Sequence, residues 1–286
     1  MADKQTLPPP GATFAGRYEL VRKLAAGGMG AVYEAIEQAN GRAIALKVLY
    51  PEYATDPEIR RRFRRESSIL AAIEHPSIVR IFDFGTDEKG RSYTAMELLE
   101  GETLRERIDR EGKMSPAALV PIVDGLCSGL SAVHAHGVVH GDIKSANVFV
   151  VNDEGGLVVK FVDFGLSKIH GLDRLTRTGE VIGTPAYMPP ELLTGDGVPD
   201  GRVDTYALGV VLYEALAGRQ PFTQRNPGKL MFDIVMGRGT PLAELCADVP
   251  EAVRWVVEQA MAPKREDRFG SPDALAEAFR NAVKGG

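Results

Sequence analysis

The chain has 286 residues, 44% hydrophobic and 26% charged, a globular balance that excludes disorder and fibre and suffices for one large domain or two lobes. Its net charge of −5 and pI near 5.7 offer no general attraction to nucleic acid or to an acidic membrane surface. Cys127 and Cys246 lie far apart in apolar surroundings without CxxC spacing, which argues against a disulfide or zinc site and for buried thiols in a reducing compartment.

Met1 to Phe14 holds Pro8, Pro9, Pro10 and Gly11 and lacks the apolar core of a signal peptide, so residues 1–16 are expected to be a flexible leader, with order from Arg17. From Tyr18 the sequence alternates through Leu20, Arg22 and Leu24, meets Gly27, Gly28 and Gly30, and resumes at Val32 and Tyr33, which predicts strand, glycine turn, strand. Such a turn lets backbone amides approach a triphosphate where a Cβ would intrude, and it serves a plain hairpin equally well. A third strand, Ala43 to Leu49, sets Lys47 among Ala45, Leu46 and Val48, where a lysine needs a partner. Pro57 starts a helix over Glu58 to Ile73 in which Ile59, Phe63, Glu66 and Leu70 share a stripe; Glu66 faces inward and Lys47 is its natural cation. The basic run Arg60, Arg61, Arg62, Arg64 and Arg65 spreads around that helix and fits a solvated face better than a nucleic-acid patch. Strands Ile78 to Phe84 and Ser92 to Glu97 complete a five-stranded unit with one helix.

Beyond Thr103 the pattern turns helical. Ser115 and Pro116 open a helix with a stripe Leu119, Ile122, Leu126, Leu130 and Val133, in which Pro121 is expected to kink the early turns. Then comes His140, Gly141, Asp142, Ile143, Lys144, Ser145, Ala146, Asn147: a base, a cation and an amide at short fixed spacing, suited to phosphoryl transfer. Taken alone, the octet also fits a polar turn cluster. Short strands Val148 to Val151 and Leu157 to Val162 end in Asp163, Phe164, Gly165, where an aspartate leaving a buried strand can reach a metal that bridges phosphates. An irregular segment from Leu166 to Met188 closes with GTPAYMPPE, residues 183–191. The longest apolar run, Ala207 to Ala217, is short and broken by Glu214, so no membrane segment is expected and the chain is placed in the cytoplasm, either whole or as the cytosolic domain of a longer protein. The last third is helical, ending in a stripe Leu275, Phe279, Val283.

Over residues 17–284 these motifs, in this order, resemble the eukaryotic-like (Hanks-type) serine/threonine protein kinases, and the GGMGxVY wording resembles their bacterial members. Ala25 to Val32 is similar to the family's GxGxxGxV loop, with Ala25 at the first glycine; Ile44 to Lys47 is similar to VAIK; the octet is similar to HRDxKxxN, with Gly141 at the arginine; residues 163–165 are DFG. The resemblance implies an α+β, bilobal protein-kinase fold, with a small β-rich N-lobe carrying one main helix (17–97) and a larger, mostly helical C-lobe (98–284). It implies that Asp142 orients and deprotonates a Ser or Thr hydroxyl, that Lys144 stabilises the moving phosphoryl, and that Lys47 with Glu66 fixes the ATP phosphates. It further implies that Asn147 and Asp163 hold Mg²⁺, with Mn²⁺ as an alternative. Leu24, Ala25, Gly27, Gly28, Gly30, Val32 and Ala45 would enclose the nucleotide, with Met96 as gatekeeper and Glu97 and Leu98 as the hinge. Asp204 would brace the catalytic loop, Arg268 would pair with Glu191, and Thr176 and Thr178 would be autophosphorylated.

The implied partners are ATP and proteins with Ser or Thr acceptors, not nucleic acid. Ala25 and Gly141 favour a rival reading, a pseudokinase that binds nucleotide or partners as a scaffold; retention of Lys47, Asp142, Asn147 and Asp163 opposes it. The GTPAYMPPE segment opposes transfer to a small molecule, because the family uses it to cradle peptide.

Overall fold

Apolar residues alternating with polar ones build the first sheet. The computed structural model describes residues 7–27, 30–50, 53, 57–153, 156–163 and 185–286, and within these the side chains of 58, 59, 62, 66, 152 and 153 lie outside the description. Thr13–Phe14 (β1), Tyr18–Ala26 (β2), Gly30–Glu37 (β3), Arg42–Leu49 (β4), Ile81–Thr86 (β5) and Ser92–Glu97 (β6) form one sheet in the order β1-β2-β3-β4-β6-β5, with the helix Pro57–Ala71 (α1) packed on β5. All its pairings are antiparallel. Period two divides β4 between two faces: Ile44, Leu46 and Val48 join Phe14, Tyr18, Leu20, Tyr33 and Tyr93 in one core, while Ala45 packs with Val79 and Met96 on the other.

Two expectations are corrected here. Order begins before Arg17: β1 pairs with β2, and Phe14, 1% exposed, inserts edge-on against Tyr93, so burial of one aromatic ring holds β1 on the sheet. The sheet therefore has six strands instead of five. The strand expected over Ile78 to Phe84 starts at Ile81, and Ile78 instead makes an isolated parallel bridge to Phe161, which belongs to the same unit as Ile78.

Contacts divide the chain into Met1–Glu74 with Val79–Glu100, and His75–Ile78 with Gly101–Gly286. The second unit opens on the strand Glu102–Thr103 (β7) and the helix Leu104–Glu111 (α2), which a capping box starts: the Glu106 N–H donates to Thr103 Oγ1 and the Thr103 N–H to the Glu106 carboxylate. Pro116–Ala135 (α3) is capped by Ser115 and runs unbroken past Pro121. By length and composition α3 is apolar enough to cross a membrane, with mean hydropathy 1.5; its buried residues, among them Leu119, Leu126 and Val133, belong to a helix packed on the strand Gly156–Phe161 (β9) and on the helix Pro272–Gly285 (α9). β7, Val148–Asp153 (β8) and β9 form a three-stranded antiparallel sheet. The remaining helices are Pro190–Thr194 (α4), Arg202–Ala217 (α5), Pro227–Val235 (α6), Leu242–Leu245 (α7) and Glu251–Ala260 (α8). Every residue of α5 from Val203 to Ala217 is buried, as a helix apolar on all sides must be. The buried Arg268 guanidinium grips Glu191 of α4 through two bonds of 2.7 and 2.8 Å.

Candidate active site

The glycine turn closes with the Gly27 N–H donating to the Gly30 carbonyl at 2.9 Å, and Ala25 pairs with Val32 across β2 and β3. Leu24 and Ala25 are exposed, and Gly28 lies outside the described residues. Gly30 has a structural duty: a Cβ there would run into the Val48 carbonyl oxygen of β4. Val32, Ala45, Met96 and Leu98 gather in one apolar cluster with Val79, a residue sequence reasoning had given only to a strand. Lys47 follows Ala45 on the same face of β4, about 7 Å along the strand, and pairs with Val32 of β3. Glu66 lies on α1, with its side chain outside the description. At Glu97 the N–H donates to the Arg80 carbonyl at 2.9 Å and the carboxylate accepts from the Arg80 N–H at 2.7 Å, so hydrogen bonding to an adenine edge falls to groups other than that N–H.

The second unit carries the octet. Asp204 on α5, with no exposed surface, accepts from the His140 N–H and the Gly141 N–H at 2.8 Å each and lies 2.7 Å from His134 Nε2. Directly after the second of these amides the backbone turns left-handed, with φ of 70° at Gly141, a conformation that glycine adopts without steric cost. An arginine here would have to adopt a conformation costing roughly 1–2 kcal/mol. Asn147 Nδ2 donates to the Asp142 carbonyl at 2.9 Å and to its Oδ2 at 3.0 Å, with the Asp163 carbonyl at 3.5 Å, while Lys144 Nζ donates to the same Oδ2 at 3.2 Å. Asp142, Lys144, Asn147 and Asp163 therefore converge. Thr176 and Thr178 lie outside the described residues.

A second network escaped sequence reasoning. The Tyr187 hydroxyl donates to Glu214 Oε2 at 2.7 Å, receives Gln220 Nε2 at 3.0 Å and meets Ser145 Oγ at 3.1 Å, while Arg105 Nη1 donates to Glu214 Oε1 at 2.6 Å. Burial, with the Glu214 carboxylate beside it, pushes the Tyr187 phenol up and keeps it protonated. The only sequence signal was Glu214 interrupting an apolar run.

His140 is buried edge-on against Phe161, and its Nδ1 accepts the Asp142 N–H at 3.3 Å. Burial lowers its pKa below the ordinary histidine value, outweighing the carboxylates of Asp204, Asp142 and Asp163. The folded imidazole stays neutral while the unfolded one takes a proton near pH 6.5. Its contribution to stability is complete above that value and is lost as pH falls toward the depressed folded pKa. Urea midpoints of the wild type should fall more steeply between about pH 7 and pH 5 than those of His140→Asn; equal slopes would contradict the assignment.

The two units reproduce the protein-kinase fold, and a family model of the protein kinase domain matches residues 18–280. The chain belongs to that family. Within it, the chain is a bacterial, Hanks-type serine/threonine kinase domain: it is 36% identical over 268 residues to the serine/threonine-protein kinase PknH of Mycobacterium tuberculosis, covering 94% of this chain and 42% of that protein. It is also 37% identical over 271 residues to the serine/threonine-protein kinase Pkn1 of Myxococcus xanthus, covering 94% and 38%. The crystal structure of the M. tuberculosis PknI kinase domain matches with a TM-score of 0.76 at 30% identity, over 96% of this chain and all of that one. The chain thus spans about two fifths of the PknH and Pkn1 lengths. Membership implies ATP, a divalent metal and protein substrates.

Proposed function

We propose that this domain transfers the γ-phosphoryl of ATP to Ser and Thr hydroxyls of proteins, including its own Thr176 and Thr178, from a cytoplasmic location. The observation that carries the reading is the convergence of Asp142, Lys144 and Asn147 on one carboxylate oxygen, in a loop anchored from below by Asp204. Asp142, with its orientation fixed by Lys144 and Asn147, accepts the hydroxyl proton as the oxygen attacks, and Lys144 sits beside it to meet the charge of the arriving phosphoryl. Lys47 holds the α and β phosphates, with Glu66 assigned as its partner by resemblance to the family; Val32, Ala45, Met96, Leu98 and Val79 cover the adenine.

The donor set fits Mg²⁺. Asn147 spends its Nδ2 on the loop, which leaves the amide oxygen as its ligand, and Asp163 adds a carboxylate; both are hard oxygen donors. When bound, the metal neutralises phosphate charge.

Transfer of labelled phosphate to a generic basic protein, followed by phosphoamino-acid analysis, tests the reading: phosphoserine or phosphothreonine is expected, with loss in Asp163→Asn. Phosphate on an aminoglycoside and none on protein would reverse it. Gly141 adds a narrower expectation. With no cation at that position to clamp a phosphothreonine, Thr176→Ala with Thr178→Ala should retain most of the wild-type rate. Abolished activity in a folded double variant would refute this, and phosphopeptide mapping that found modification only elsewhere would remove the two sites.

A further inference from the structure

We propose that Ser145 is a positioning residue for phosphoryl transfer: its hydroxyl, acting through Tyr187, ties the downstream half of the catalytic loop to α5 and so keeps Lys144 in register with Asp142. This role rests on the reading of the domain as a kinase and adds to it a side chain outside the residues already given a part in the chemistry.

Ser145 stands between Lys144 and Asn147, opens the tight helical turn Ser145–Asn147 and has no exposed surface. A hydroxyl enclosed in this way costs stability unless it is bonded, and its Oγ lies 3.1 Å from the Tyr187 oxygen. The direction of that bond follows from the protons at hand. Tyr187 has one, which goes to Glu214 Oε2 at 2.7 Å, so its oxygen is the acceptor for Gln220 Nε2 at 3.0 Å and for the Ser145 O–H. Arg105 takes the other carboxylate oxygen of Glu214 at 2.6 Å, and the series of bonds therefore ends on a paired charge inside the fold.

Two acids of α5 then hold the loop at two points. Asp204, in the first turn of that helix, takes the amides of His140 and Gly141 upstream of Asp142. Glu214, about 15 Å further along the helix axis, takes Ser145 downstream of it by way of Tyr187. Asp142 and Lys144 lie between the two ties, with Lys144 Nζ 3.2 Å from Asp142 Oδ2. Transfer is sensitive to that spacing, since a misplacement of about 1 Å can cost roughly a hundredfold in rate. Tyr187 closes the turn Pro185–Tyr187, which packs on α5 and α6, so the Ser145 bond joins the loop to a segment 42 positions later instead of to its own neighbours.

Steady-state kinetics on the purified chain test this, with a generic basic protein as acceptor. Ser145→Ala should lower kcat roughly three- to tenfold, the effect of one lost hydrogen bond. The KM for ATP should stay constant, because the nucleotide contacts are assigned to the first sheet. Tyr187→Phe removes the acceptor and should lower kcat at least as far, and Ser145→Ala added to Tyr187→Phe should cost nothing more, the bond being already gone. Melting curves of Ser145→Ala should stay near the wild type. Unchanged kcat in Ser145→Ala, a full additional loss in the Tyr187→Phe background, or a fall in kcat that comes with a raised KM for ATP and a collapsed melting temperature would each overturn the role given to Ser145. A wild type that transfers no phosphate would instead remove the kinase reading, and this role with it.

Discussion

Asp142→Asn should lower the transfer rate by roughly a hundred- to ten-thousand-fold, the range that a positioned general base contributes. The substitution preserves the shape of the side chain and one acceptor oxygen, so the contacts from Asn147 and Lys144 can persist while the proton acceptor is lost. ATP binding should hardly change, because the nucleotide contacts are assigned to Lys47 and the Val32–Ala45–Met96 cluster on the first sheet. Steady-state kinetics would show kcat falling with the KM for ATP nearly constant. A variant that kept its rate would remove Asp142 from the chemistry.

The second large effect is expected far from any substrate. Asp204→Ala removes the acceptor for two backbone amides, of which that of His140 is buried, and for His134; an orphaned buried donor costs about 1–3 kcal/mol, so the loop would lose its anchor on α5. Asp204→Asn should be almost as damaging. Both carboxylate oxygens accept, and an amide replaces one of them with a donor that faces an N–H. Thermal melts should show strong destabilisation in both variants, and hydrogen exchange at His140 and Gly141 should quicken. Wild-type protection at those two amides in Asp204→Asn would contradict the role given to the carboxylate.

The contrast between these two residues shows what a sequence discloses. Lys47 and Asp163 were legible because each is a charged group inside, or at the end of, an apolar run, where burial without a purpose would be costly, and Asp142 because it stands at short fixed spacing from Lys144 and Asn147. The bracing by Asp204 came only through resemblance, since nothing in its own neighbourhood of the chain points to amides more than sixty positions earlier. The left-handed backbone of Gly141 was hidden because glycine permits positive φ without announcing it. Glu214 looked like an interruption of α5, and only the fold gives it Tyr187, Arg105 and, through the tyrosine, Ser145. β1 escaped notice because two residues have no period, and a run of prolines beside them suggested a leader. Local chemistry was readable, then, and coupling across the fold was not.

The central claim is that this chain is an active kinase domain, and autophosphorylation tests it without a guess about substrate. The purified chain incubated with Mg²⁺ and ATP should gain the mass of one or more phosphates, while Asp163→Asn under the same conditions should gain none. Silence in the wild type, together with no transfer to a generic basic protein, would contradict the account and favour a domain that binds without turnover.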